Sequence, residues 1–256
     1  MADSEPTRRR AAVLGSPIRH SLSPTLHRSA YATLGLTGWR YDAMDCGEAA
    51  LTSFVGQLGP EWAGLSLTMP LKRVALTVAD EISSVAGAVG AANTLVLEQP
   101  GGHRRAENTD VAGILAALRE LGERAPTVLV RNLGATADLR AAADRLGVQP
   151  VISGGLPDIV LPAADVVIST LPPGAADALS PQRWVTRPVV LDVAYTPWPT
   201  TLAASAIAAG CRTVSGLAVL LHQAVAQVEL MTGRRAPIAP MRAALDAAVR
   251  SRSTPG

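Results

Sequence analysis

The chain is 256 residues long, enough for two domains with separate cores. Its 48% hydrophobic and 17% charged residues describe a soluble globular protein, and no apolar run approaches the ~18 residues that would span a bilayer. A net charge of +2 is too small to argue for a nucleic-acid partner, and Arg8-Arg9-Arg10 reads as a solvated tail rather than a phosphate grip. The first ten residues lack the apolar segment of a signal peptide, so the expected location is cytoplasmic. Cys46 and Cys211 lie far apart and imply neither a disulfide framework nor a metal site.

In chain order, residues 11–15 read as a strand and 25–34 as a helix, with Ser23 as N-cap and Pro24 at the first helical position. Residues 39–45 form a second strand, 51–58 a helix, and 64–68 a third strand. This alternation predicts a mostly parallel α/β sheet. A helix over 111–121, with apolar residues at 111, 114, 115, 118 and 121, leads into the second half. There 127–130, 165–170 and 189–193 look like buried parallel strands, with a helix over 139–146 after the first. An apolar helix over 217–231 and an amphipathic one over 240–249 follow, the last expected to return to the first half. The fold class is α/β, with residues 1–110 and 236–256 as one domain and 111–235 as another. Nothing marks an interface, so monomer and homodimer stay open.

The composition also isolates one residue. Lys72 is the single lysine among twenty-two arginines. An arginine stays protonated, whereas an amine can give and take a proton near neutral pH. Lys72 stands in a turn-prone stretch directly after a strand, where loops carry function. Polar residues recur at such places: Ser21 and Ser23, Thr68 with Lys72, Asn93-Thr94, and Asn108-Thr109-Asp110. Beyond the ends of parallel strands these groups would share one crevice. Two hydroxyls near a helix start can hold a carboxylate. Asn93 and Asp110 can hold ring hydroxyls, and Lys72 beside Asp110 makes an acid/base pair. Ser23 also suits a helix cap, and Asn93 and Asn108 also suit turns.

The segments Gly15-Ser-Pro-Ile-Arg-His-Ser-Leu-Ser-Pro24, Leu67-Thr-Met-Pro-Leu-Lys72, Gly90-Ala-Ala-Asn-Thr94 and Asn108-Thr-Asp110 resemble the shikimate dehydrogenase family, in order and at fitting separations. So do Asp192-Val-Ala-Tyr195-Thr-Pro197 and Gly216-Leu-Ala-Val-Leu-Leu-His-Gln223. The resemblance implies a two-domain enzyme reducing 3-dehydroshikimate to shikimate with NADPH and no metal. It implies Ser21 and Ser23 on the substrate carboxylate, and Thr68, Asn93, Asp110, Tyr195 and Gln223 on its hydroxyl and carbonyl groups. Lys72 would be the acid/base and Asp110 its partner. Arg131, Thr170, Val193 and Gly216 would meet the cofactor. Ser66 stands where the family often has Asn. Quinate or aminoshikimate are alternative substrates.

The second half departs from the pattern. No G-x-G-x-x-G or G-x-G-G-x turn lies between the linking helix and Thr127. Val130-Arg131-Asn132 looks like the end of the family's second strand, whose Arg meets the adenosine 2′-phosphate. The expectation is therefore a truncated Rossmann-like domain, lacking one βα unit of order 20 residues between Gly122 and Thr127. Gly134-Ala-Thr-Ala137 is a poorer candidate for the glycine turn. A missing unit would favour a shikimate-binding relative without hydride transfer, or a deletion in an otherwise ordinary enzyme.

Overall fold

A mostly apolar strand sets the centre of the first sheet: β3 (Trp62–Leu67) is buried throughout, with Ser66 its one polar residue. The computed structural model describes residues 8–98, 102–120, 127–129, 152–153, 166–171, 174–177, 184 and 186–253. By its contacts the chain divides into two compact units, residues 1–112 with 221–256, and residues 113–220. The sequence places the return to the first unit at 236; the contacts place it at Leu221, because residues from there on pack within the first unit.

In the first unit, β1 (Arg9–Gly15) lies between β2 (Trp39–Asp45) and β3, parallel to both. The sheet continues through β5 (Thr94–Glu98) and β6 (His103–Glu107) to the two-residue β4 (Glu81–Ile82). β5 is antiparallel to both of its neighbours, so the sheet is parallel-rich but mixed. Helix α1 (Ser23–Thr33) begins at Ser23, with Leu22 as N-cap and no capping side chain. This corrects the expected Ser23 cap: Ser23 is already helical, and its own N–H donates to Ser21 Oγ at 3.3 Å. Helix α2 runs over Glu48–Gly56, starting earlier than expected with an acidic residue in its first turn. A 3-10 turn (Val74–Val78) and α3 (Ser84–Val89) complete this half. Leu14, Leu51, Leu65, Leu71 and Leu95 fill one core.

Helix α4 (Thr109–Arg119) starts in the first unit and ends in the second. Asn108 caps it, Oδ1 accepting from the N–H groups of Asp110 (3.1 Å) and Val111 (3.2 Å). Its buried face is Gly113, Ala117 and Leu118, whereas Leu115, expected inside, is exposed.

The second unit holds β7 (Thr127–Leu129), β8 (Ile152–Ser153), β9 (Val166–Ser169), β10 (Val189–Asp192) and β11 (Thr213–Ser215), with α5 (Thr201–Ala208) between the last two strands. All its pairings are parallel, in the order β8-β7-β9-β10-β11. This is the doubly wound order 2-1-3-4-5, whose switch point lies between the first and third strands. An intact domain, and one whose remaining strands closed up around a lost first unit, would both give this order. β7 bonds directly to β8 and β9, so the first strand described in this unit already occupies the central place. The next described strand is Ile152–Ser153. Residues 130–151, including Arg131, Gly134 and the expected helix 139–146, lie outside the described residues.

Helix α6 (Gly216–Thr232) begins in the second unit and enters the first. A Cβ on Gly64 would stand 2.7 Å from Leu95 O and 2.9 Å from Met231 Cγ, so a glycine in β3 lets this helix lie close against the sheet. Helix α7 (Ile238–Ser253) buries Met241 and Leu245, and Ser29 Oγ donates to Pro240 O at 3.1 Å. The expected return of the last helix to the first half is observed. Among the described residues no helix is long and apolar enough to cross a membrane.

Candidate active site

Strand direction gathers the polar residues of the first unit at one sheet edge. β1, β3 and β6 all end there, and antiparallel β5 begins there, with Ser66 opposite Thr94 and Thr94 opposite Glu107. Ser21 and Ser23 follow β1, Thr68 and Lys72 follow β3, Asn93 precedes β5, and Asp110 follows β6. Asn93 thus reaches the edge from a strand's start rather than from its end.

The loop carrying Lys72 is held at several points. Thr68 N–H donates to Leu14 O (2.9 Å), Leu71 N–H to Thr68 O (2.8 Å), and Ala92 N–H to Lys72 O (2.7 Å). Leu71 is fully buried beneath it. From this base Lys72 Nζ donates to Asp110 Oδ2 at 2.7 Å. The two side chains are 35% and 31% exposed, so solvent screens the pair and its value is geometric rather than a large contribution to stability.

Asp110 is fixed from the other side. Asn93 Nδ2 donates to Asp110 Oδ1 (2.9 Å), and also lies within bonding distance of Thr109 Oγ1 (2.9 Å) and Gln223 Oε1 (3.3 Å). Its amide orientation is set by Thr109 N–H, which can only donate and which meets Asn93 Oδ1 at 2.8 Å. Lys72, Asp110, Asn93 and Gln223 are therefore joined, each to the next, by hydrogen bonds. Ser23 is buried, its side chain hydrogen-bonded to the Tyr41 phenol, while Ser21 and Thr68 are half-buried.

Four further residues lie behind these: His27, Tyr41, Ser66 and Gln227. Burial lowers the His27 imidazole from 6.5 to about 3, against a smaller upward pull from its hydrogen bond with Gln227. It stacks on Tyr41, ring centroids 3.9 Å apart. Sequence reasoning took Gln223 and passed over Gln227, although the two amides share one face of α6 at i, i+4 in an apolar helix.

Thr170, Val193, Tyr195 and Gly216 belong to the second unit. Ser169, Asp192 and Ser215 share one row of the sheet register, so Thr170, Val193 and Gly216 stand just past it on the carboxyl edge. Asp192 Oδ1 accepts from Ala194 N–H (3.2 Å) and Oδ2 from Thr200 Oγ1 (2.8 Å), pinning both ends of the loop that carries half-buried Tyr195.

Fold and site together define a two-unit α/β protein, with a hydrogen-bonded amine–carboxylate pair in one unit and a doubly wound parallel sheet in the other. Residues 13–95 match the shikimate dehydrogenase substrate binding domain, and residues 216–245 the shikimate 5′-dehydrogenase C-terminal domain. The curated shikimate dehydrogenase (NADP+) of Cereibacter sphaeroides is 34% identical over 266 residues, spanning 88% of this chain and 92% of that protein. The crystal structure of Mycobacterium tuberculosis shikimate dehydrogenase has 44% identity and a TM-score of 0.83, spanning 93% of this chain and 99% of that one. The Thermus thermophilus shikimate 5-dehydrogenase, solved in complex with NADP(H) and shikimate, has 28% identity and a TM-score of 0.77, spanning 94% and 99%. The chain belongs to the shikimate dehydrogenase family.

Proposed function

We propose that the protein is an NADP-dependent shikimate dehydrogenase interconverting shikimate and 3-dehydroshikimate. Residues 1–112 and 221–256 bind the substrate, and residues 113–220 bind the cofactor. The observation that carries this reading is the Lys72–Asp110 pair, its carboxylate clamped by Asn93, in the unit that contains the match to a substrate-binding domain. Ser21 and Ser23 take the substrate carboxylate, while Thr68, Asn93, Asp110 and Gln223 take its ring oxygens.

The carboxyl edge of the second sheet suits a dinucleotide. A Cβ on Gly216 would strike the Val193 carbonyl, so backbone lies against backbone at the start of α6, and Thr170 stands past β9 beside the switch point. Thr170, Val193 and Gly216 would hold NADP there. When bound, NADPH supplies the hydride that reduces the ketone. Lys72 stabilises the negative charge developing on the carbonyl oxygen and gives it a proton, and in the reverse direction the amine takes the alcohol proton back. Asp110 aims the amine throughout.

The test is shikimate oxidation with NADP+, quinate assayed in parallel, and calorimetric titration with NADPH and with shikimate. Turnover of shikimate, and a fall of about 10²–10⁴-fold in Lys72→Ala with shikimate binding kept within a few-fold, is the expected result. Shikimate binding without NADPH binding or turnover overturns the reading.

A further inference from the structure

We infer that Gln227 is a positioning residue for the proton-transfer pair, the centre of a one-way hydrogen-bond chain that runs through the first unit and ends on Asp110. The inference rests on the dehydrogenase reading for its kinetic consequence, but not for its geometry.

The direction of every bond follows from groups that can act in only one way. Asn93 O is a backbone carbonyl and only accepts, so the Gln227 atom 3.2 Å from it is Nε2, which also donates to Thr94 Oγ1 at 2.9 Å. Gln227 Oε1 therefore faces the other way and accepts from Ser66 Oγ (2.8 Å) and His27 Nε2 (3.3 Å). His27, neutral in its dry site, carries its proton on Nε2 to make that bond. Ser66, having given its proton to Gln227, accepts from Tyr41 OH at 2.6 Å. Thr94, having accepted from Gln227, donates to Asn93 Oδ1 at 3.0 Å. Asn93, its oxygen thus occupied, turns Nδ2 to Asp110 Oδ1.

Every donor from Tyr41 to Asn93 points toward Asp110, and Lys72 meets the carboxylate on its other oxygen. Aligned bonds in a low-dielectric interior polarise one another, and Gln227, Thr94 and Asn93 are all nearly or wholly buried. Gln227 joins the two ends: without its amide, the bonds from Ser66 and His27 no longer reach Thr94 and Asn93. Asn93 then keeps the bonds from Leu67 N–H to its carbonyl (2.7 Å) and from Thr109 N–H to its Oδ1 (2.8 Å) but loses the Gln227 bond and the fixed direction of the Thr94 hydroxyl, so it holds Asp110 less firmly. Gln227 touches neither Lys72 nor Asp110, so its effect passes through Asn93.

The single lysine makes this directly observable, because isotopically labelled lysine gives one side-chain NMR signal, that of Lys72. Gln227→Leu is expected to lower kcat about tenfold, the effect of about 1.4 kcal/mol of lost transition-state positioning, while KM for shikimate stays within about threefold, as expected when the lost interaction acts in the transition state. The Lys72 signal is expected to move from its wild-type position. A folded Gln227→Leu protein with unchanged kcat and an unmoved signal overturns the inference. If Gln227→Leu does not fold, the Tyr41→Phe/Ser66→Ala pair decides, since it removes two donors in series and leaves the Gln227 amide in place. A moved Lys72 signal in that variant supports the chain, and an unmoved one overturns it. Should the wild type fail to oxidise shikimate, the dehydrogenase reading fails, and the NMR comparison still decides the role of Gln227.

Discussion

Burial holds the His27 imidazole neutral, and that has a consequence for stability. Its folded value is about 3 against an ordinary 6.5, so between these pH values the unfolded chain binds a proton that the folded chain does not. A depressed histidine contributes stability that is fully present above pH 6.5 and is lost as pH falls toward 3. The slope from this one group is about 1.4 kcal/mol per pH unit. His27→Leu removes the titrating group together with its stack on Tyr41 and its bond to Gln227, so the variant starts less stable at pH 7. Between pH 6 and pH 4, however, it should lose less stability than the wild type, by about 1.4 kcal/mol per unit. Denaturant unfolding of both proteins at pH 7, 6, 5 and 4 checks this, and equal slopes would show that the imidazole is not kept neutral by the fold. The same residue marks the limit of reading sites from sequence. Lys72, Asn93 and Asp110 were singled out because each stands in a short polar motif, whereas Gln223 entered only through the family resemblance. His27 and Gln227 sit in ordinary helices and meet across 200 positions of chain, a pairing that no local pattern encodes.

Close backbone approach plays a comparable part among the elements. At Gly216 a Cβ would meet Val193, with its carbonyl carbon at 2.5 Å and its Cα at 3.1 Å. Val193 cannot retreat freely, since its N–H donates to Ser169 O at 2.9 Å and ties the end of β10 to β9. Gly216→Ala is therefore expected to destabilise the protein by at least about 1–3 kcal/mol, as overpacking does. It should also weaken NADPH binding, because the strain falls on the edge proposed for the cofactor. Thermal melting with an NADPH titration tests both, and an unchanged melting temperature would mean that α6 starts further from β10 than its contacts imply. Strands β1, β3, β9 and β10 could be found in the sequence as largely apolar runs between turn signals, and β2 by its alternation of apolar and charged residues. The β5–β6 hairpin could not, since His103–Glu107 is mostly charged and is stabilised by ion pairs such as Arg105–Glu98. The place of β7 could not be read from the sequence, for a different reason. A strand's rank in a sheet is a tertiary property, and the glycine pattern that usually announces the first strand is missing after Thr127–Leu129.

At the scale of the whole molecule, the first unit is assembled from both ends of the chain. Residues 221–256 bring it Gln223 and Gln227, Met231 against Gly64, and Met241 and Leu245 from α7. Arg252 Nη1 adds a bond to His20 O at 3.0 Å, beside the loop that carries Ser21. A chain ended after Thr232 keeps the amides of α6 but loses α7. Two fully buried side chains at about 1.5–3 kcal/mol each amount to roughly 3–6 kcal/mol. For a protein of this size that lowers the melting temperature by about 10 °C or more. Ligand binding at the same unit opposes the loss by mass action, since shikimate at about 100 times its dissociation constant adds roughly 2.7 kcal/mol. The truncated protein should therefore melt well below the full chain and recover part of the difference when shikimate is added. Equal melting temperatures would show that α7 contributes little to the first unit. A truncated protein that melts low and gains nothing from shikimate would show instead that substrate binding itself depends on the returning helix.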